Sequence, residues 1–218
     1  MTAAQTTDSL FKGVYAITDD KLIPEDRLIE VCEHALRGGV RLLQYRSKET
    51  SKSFSRRREE AAALTTLCNR YGACLLVNDD IDLCQAAEAH GVHLGQKDGS
   101  VPEARWRLGP QAIIGVTCHN RDDLVLAAEK QGATYAALGR FFPSNTKPEA
   151  SAASIEDLKR IRSQTRLPLV AIGGVTADNG SEVLEAGADM LAVIHYLFSA
   201  EDVFARAQAL SSLFRHTR

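Results

Sequence analysis

A chain of 218 residues with 44% hydrophobic content can bury a sizeable core, as one large domain or two small ones. Its 26 basic and 28 acidic residues leave a net charge of -2, which excludes a broad attraction to nucleic acid or to an anionic membrane, so any anion site has to be built locally. No apolar run approaches the roughly 18 residues of a spanning helix, and MTAAQTTDSLFKG carries neither the basic start nor the apolar stretch of a secretory signal, so the expected location is the cytoplasm. The five cysteines (Cys32, Cys68, Cys74, Cys84 and Cys118) form no C-x-x-C pair and sit in apolar patterns, and are expected to be reduced core thiols.

Residues 1–12 read as an N-terminal extension. The first apolar run is VYAIT (14–18), followed by a helical period at Leu28, Val31, Cys32, Ala35 and Leu36 that stops at Gly38-Gly39. LLQY (42–45) is a strand with a polar Gln44 where an aliphatic side chain belongs, and it runs directly into Arg46 and Lys48. Arg56, Arg57 and Arg58, beside Glu59 and Glu60, read as a solvated helix face. CLLV (74–77), GVHL (91–94) and IIGVT (113–117) follow, then a helix from an Asp-rich start through Leu124 to Ala128. YAALG (135–139), LVAIG (169–173) and MLAVI (190–194) complete the series, each too short for a helix. Strands without polar alternation fit a parallel sheet covered on both faces, and alternation with helices implies right-handed crossovers. Eight such units in a chain this short predict an α/β fold of one domain, a compact (β/α)8 TIM barrel over residues 13–218. RGGV, QGAT and EAGAD, before the second, sixth and eighth strands, are helix stops.

In such a barrel the site lies at the carboxyl ends of the strands. There the sequence places Gln44, Arg46 and Lys48; Asn78, Asp79 and Asp80; Gln96, Lys97 and Asp98; Thr117 and His119; Ser144, Thr146 and Lys147; Gly173-Gly174; and Ile194-His195. Arg46, Lys48 and Lys147 form a cationic clamp, and Asp79 with Asp98 supplies two carboxylates, a mixture suited to a diphosphate carried with Mg2+. The competing structural reading pairs Arg46 with Asp79 at the barrel rim. Gly173-Gly174 and the end of the eighth strand suit a second phosphate held by backbone N–H groups. Two phosphate sites in one mouth suggest two phosphorylated substrates. His119 reads as a hydrogen-bonded rim histidine.

VYAITDD, LLQYRSKE, LLVNDDIDL, GVHLGQKD, IIGVTCHN, GRFFPSNTKPEA, AIGGVT and DMLAVIHYLF follow one another as in thiamine phosphate synthase, and the chain resembles that family from about residue 13 to 198. The resemblance implies a small TIM barrel that joins 4-amino-5-hydroxymethyl-2-methylpyrimidine diphosphate to a thiazole phosphate, through a dissociative, carbocation-like step, giving thiamine monophosphate and pyrophosphate. It implies that Gln44, Arg46, Lys48, Asn78 and Lys147 bind the pyrimidine diphosphate, with Arg46, Lys48 and Lys147 stabilising the departing group, and that Asp79 and Asp98 ligate Mg2+. Thr117, in the place of the family's Ser, would reach the diphosphate. Ser144 and Thr146 stand for its Thr-x-Thr at the thiazole phosphate, and Gly174, Ile194 and His195 for its backbone phosphate site. His195 departs from the usual Ser, and Arg140 in GRFF from the commoner Pro.

Three other readings remain: a thiazole tautomerase using His119, a non-catalytic barrel that binds thiamine phosphates, and a sugar-phosphate isomerase. None of them needs the full charged set. The partners expected are small molecules, with no nucleic acid and no membrane, and a homo-oligomer is compatible with the sequence.

Overall fold

The structure, a computed structural model, describes residues 10–48, 51–143 and 152–215. Eight parallel strands close into a barrel in sequence order: β1 (Gly13–Ile17), β2 (Val40–Tyr45), β3 (Cys74–Asn78), β4 (Gly91–Leu94), β5 (Ile113–His119), β6 (Tyr135–Leu138), β7 (Leu169–Ile172) and β8 (Met190–Val193). Around them run α1 (Leu28–Arg37), α2 (Phe54–Arg70), α3 (Ile81–Ala86), α4 (Val101–Leu108), α5 (Asp122–Lys130), α6 (Ile155–Arg162), α7 (Gly180–Glu185), α8 (His195–Phe198) and α9 (Val203–Ser212). Among the described residues no helix is long and apolar enough to cross a membrane.

Every strand run expected from the sequence forms a strand. β2 begins two residues before the expected run, because Val40 pairs with Val14 of β1 and the exposed Arg41 follows it in the strand. β5 runs on to His119 through an irregularity between Thr117 and His119. Helix starts follow the capping side chains: Ser53, Asp80, Ser100 and Asp202 each accept a backbone N–H, and Ser154 forms a capping box with Asp157. Each such cap contributes about 0.5–2 kcal/mol.

The two faces of the sheet carry different cores. Val14, Ala16, Leu43, Leu75 and Val77 pack outward against the helices, whereas Tyr15, Ile17, Leu42, Leu76, Tyr135, Val170, Met190 and Ala192 fill the barrel. Period two along the strands makes this division. It also turns Gln44 and His93 inward, both buried. One reading of the helix surfaces is corrected: Glu60 of α2 is buried, where it accepts from the Tyr45 hydroxyl at 2.6 Å and pairs with Lys52 at 3.1 Å, because Tyr45 points outward under that helix. The five cysteines are free thiols.

Candidate active site

The carboxyl ends of the strands enclose a cavity of about 250 Å³, lined among others by Gln44, Arg46, Lys48, Asn78, Asp79 and Asp98. Thr117, His119, Arg140 and Ile194 reach the same cavity. A second depression, of about 210 Å³, adjoins it between β7 and β8 and is lined by Gly173, Gly174, Thr176, Ile194 and His195. A wider groove of about 1050 Å³ lies at the opposite end, where the strands begin. Its Arg105 is spent on the carbonyls of Gly109, Pro110, Ala112 and Gly132, and its Arg107 on Asp82 and Gln85.

The loop after β1 positions the cations after β2. Arg46 pairs with Asp19 at 3.0 Å, its N–H donates to Thr18 Oγ1 at 2.9 Å, and the Lys48 N–H donates to Asp20 Oδ2 at 2.6 Å. The rim pair Arg46–Asp79 does not form. Lys48 takes Asp79 instead, at 2.8 Å, because Asp19 lies closer to Arg46 across the adjacent strand ends. Asp79 is in the left-handed region, with φ of 63°, a conformation that aspartate tolerates better than most residues. Its N–H donates to the His93 carbonyl at 2.8 Å, and its carboxylate accepts from Asn78 Nδ2 at 2.6 Å and from the Gly95 N–H at 3.4 Å.

Asp79 and Asp98 meet over Gly95, where a Cβ would stand 2.3 Å from Asp98 Oδ2 and 3.8 Å from Asp79 Oδ1. Their titration separates accordingly. Burial pushes the Asp79 carboxyl up, but the Lys48 ammonium, the Asn78 amide and the Gly95 N–H outweigh it and hold the group below the usual carboxylate range. Asp98 is held above that range by desolvation, and then by the charge of Asp79 and a hydrogen bond with it. Two hard oxygen donors forced together favour a divalent cation between them. Among the described residues no group of three or more His, Cys, Asp or Glu side chains could hold a metal, so the remaining ligands would be phosphate oxygens and water.

On the other side, Gly173 and Gly174 have φ of 100° and 64°. A Cβ on Gly174 would lie 2.2 Å from the Pro143 carbonyl, so only glycine lets the β6 and β7 loops approach this closely. Asn179 ties the turn, donating to the Gly174 carbonyl at 3.1 Å and accepting from the Thr176 N–H at 2.8 Å. Ser144, Thr146 and Lys147 lie outside the described residues. Gln44, Arg46, Lys48, Asn78, Asp79, Gln96, Asp98, Thr117, His119, Gly173, Gly174, Ile194 and His195 border the mouth. Lys97 does not line it, and neither does Asp80, which caps α3 and pairs with Arg57 at 3.1 Å because its side chain turns back onto the helix.

Sequence reasoning gave no role to Asp19, Asp20, His93, Tyr15 or Tyr135. The signals were present: an acidic pair directly after the first strand, and polar or aromatic residues at inward positions of VYAIT, GVHL and YAALG.

A closed barrel whose mouth joins paired carboxylates, two cations and a glycine turn belongs to the enzymes that act on phosphorylated small molecules. The thiamine monophosphate synthase family profile matches residues 14–197, and the chain belongs to that family. A thiamine-phosphate synthase of Thioalkalivibrio sulfidiphilus is 46% identical over 208 residues, covering 95% of this chain and 98% of the relative. The thiamine phosphate pyrophosphorylase structure from Pyrococcus furiosus superimposes with a TM-score of 0.85 at 34% identity, over 94% of this chain and 96% of that one. The corresponding structure from Bacteroides thetaiotaomicron matches with a TM-score of 0.70 at 15% identity, over 94% of this chain and 99% of that one, a likeness of fold alone.

Proposed function

We propose that this protein is a thiamine phosphate synthase, a transferase that condenses 4-amino-5-hydroxymethyl-2-methylpyrimidine diphosphate with thiazole phosphate to give thiamine monophosphate and pyrophosphate. The observation that carries the reading is the meeting of Asp79 and Asp98 over Gly95 beside Lys48 and Arg46. A monophosphate isomerase has little use for that set. In the reaction the methylene C–O bond of the pyrimidine breaks, its electron pair leaves with pyrophosphate, and the thiazole nitrogen supplies the pair for the new C–N bond. The barrier is then governed by the charge accumulating on the leaving oxygens, and stabilising that charge needs no protein nucleophile.

Arg46 and Lys48, with Lys147, neutralise the diphosphate, and Gln44 and Asn78 help to seat the pyrimidine diphosphate. The Thr117 hydroxyl donates to the diphosphate. Asp79 and Asp98 hold Mg2+, which supplies Lewis-acid stabilisation of the leaving diphosphate when bound. Gly174, Ile194 and His195 hold the thiazole phosphate through backbone N–H groups, with Ser144 and Thr146 completing that site. Free thiols support a cytoplasmic location.

The test is pyrophosphate release from the purified protein with both substrates and Mg2+, omitting each in turn. Release that needs all three is expected. Release without the thiazole phosphate, or none with the complete mixture, would overturn the reading. His119→Ala is expected to cost less than about threefold, because a dissociative transfer needs no histidine base.

A further inference from the structure

Tyr15, Tyr135 and His93 take no part in the proposed chemistry, yet they connect two residues that do. Gln44 Nε2 donates to the Tyr15 hydroxyl at 2.5 Å, and the Tyr15 and Tyr135 hydroxyls lie 2.8 Å apart. The Tyr135 hydroxyl is 2.7 Å from His93 Nδ1, and His93 Nε2 is 2.8 Å from Thr117 Oγ1. The strand register makes the chain possible. His93 of β4 pairs with Gly115 of β5, and Gly115 with Tyr135 of β6. A Cβ on Gly115 would lie 1.9 Å from Tyr135 Cζ, so the missing side chain is the space through which the Tyr135 ring reaches His93, stacking at 5.6 Å between centroids.

The linked groups are buried at the floor of the mouth: Tyr15, Gln44, Tyr135 and His93 are exposed by 1%, 2%, 0% and 8%. Burial pushes both phenols well above their ordinary range, so each keeps its one proton. A buried hydroxyl hydrogen without an acceptor is costly, and only when all the bonds run the same way does each hydroxyl hydrogen find one. Gln44 Nε2 donates to the Tyr15 oxygen, so the acceptor left for the Tyr15 hydrogen is the Tyr135 oxygen, and the Tyr135 hydrogen goes on to His93 Nδ1. A neutral His93 then carries its hydrogen on Nε2 and gives it to Thr117. The Thr117 hydroxyl, already an acceptor on the inner side, has its own hydrogen left for the mouth. Turning the Gln44 amide over would reverse every bond, and Thr117 would then offer an anion only a lone pair.

We propose that Tyr15, Tyr135 and His93 are positioning residues: they transmit the orientation of the Gln44 amide across the barrel and fix Thr117 as a hydrogen-bond donor toward the diphosphate. The identity of that anion rests on the function proposed above, but the polarity of the relay does not. The same polarity leaves the Gln44 carbonyl oxygen for a ligand N–H, so the site is set for a substrate with a donor at one end and an anion at the other.

Two measurements test this. Long-range 15N–1H spectra of the native protein labelled at histidine, with the His93 signal assigned by its loss in His93→Gln, should show His93 neutral with hydrogen on Nε2, alone and with inorganic pyrophosphate. Hydrogen on Nδ1 would overturn the relay whatever the enzyme's activity. In a double-mutant cycle on pyrophosphate release, Tyr135→Phe should lower kcat/KM about tenfold in the native background and less than about twofold beside Thr117→Val. Equal losses in both backgrounds, or no loss in the first, would refute transmission through Thr117. Absence of pyrophosphate release from the native protein would sink the function while leaving the spectrum to judge the relay. The spectrum also decides if Tyr135→Phe does not fold.

Discussion

The two sides of the mouth are made of different material. The side at β2, β3 and β4 is made of side-chain charge, with Arg46, Lys48, Asp79 and Asp98 each answered by a neighbour. The side at β7 and β8 is made of backbone, opened by Gly173 and Gly174 and closed by the turn into α8. Charge can be regrouped at small cost. The Lys48–Asp79 pair is 53% and 23% exposed, and such a pair is worth no more than about 1 kcal/mol, so an entering diphosphate can take Lys48 over. Backbone N–H groups have no such latitude, because their direction is set by φ and ψ. The charged side therefore suits a leaving group whose charge grows during reaction, and the backbone side suits a phosphate that only needs to be held.

The charged side should break hardest. Asp79→Ala is expected to lower pyrophosphate release about a thousandfold or more, by removing one of the two carboxylates proposed to hold Mg2+ and the partner of Lys48. The fold should survive, since Lys48 is half exposed and can turn to water, and an unchanged far-UV circular dichroism spectrum checks this. Arg46→Ala should cost about a hundredfold in kcat/KM for the pyrimidine diphosphate. Normal turnover in either variant would remove these residues from the diphosphate site.

The same contrast explains how much was legible in the sequence. Arg46, Lys48, Asp79 and Asp98 were readable because ionised side chains just past apolar runs are conspicuous, and the eight strands because their runs are short and uniformly apolar. The pairing of those charges was not readable. Whether Arg46 takes Asp19 or Asp79 depends on how adjacent strand ends sit within the barrel, which residue type does not specify. His93 and Tyr135 were missed for a related reason: in GVHL and YAALG they look like ordinary strand residues, and only the register through Gly115 makes them neighbours. Glu60 was misread because a carboxylate beside three arginines looks solvated, while the Tyr45 hydroxyl and Lys52 hold its Oε2 inside.

The backbone side should fail more gently and more selectively. Gly174→Ala places a Cβ 2.2 Å from the Pro143 carbonyl at a φ of 64°, so the turn must shift. The conformation itself costs about 1–2 kcal/mol. KM for the thiazole phosphate is expected to rise about tenfold while KM for the pyrimidine diphosphate stays within about twofold, which steady-state kinetics with each substrate varied separately would read. His195→Ser sharpens the point. The His195 ring is exposed and its Nδ1 lies 3.4 Å from Ser199 Oγ, and the contact proposed for the phosphate is the His195 backbone N–H. The substitution keeps that N–H, and the change in KM should stay below about threefold; a larger rise or fall would give the side chain a role of its own.

The smallest expected effect lies outside the mouth and shows what charge does where no ligand competes for it. Asp122, at the start of α5, accepts from Arg160 of α6 and from Gln164, which lower its carboxyl from 3.8 to about 2. The unfolded chain therefore binds more protons in that interval, so the pair's contribution is complete above about pH 4 and is lost as pH falls toward 2. Solvent screening keeps it at or below about 1 kcal/mol, which for a chain of this size is about 2–4 °C in Tm. Asp122→Asn should lower Tm by that amount at neutral pH and by progressively less as the pH approaches 2, with pyrophosphate release within about twofold of the parent. If Tm fell equally at both pH values, the loss would be one of packing and not of charge. If release fell with it, the charge network outside the barrel would have to be counted part of the mouth.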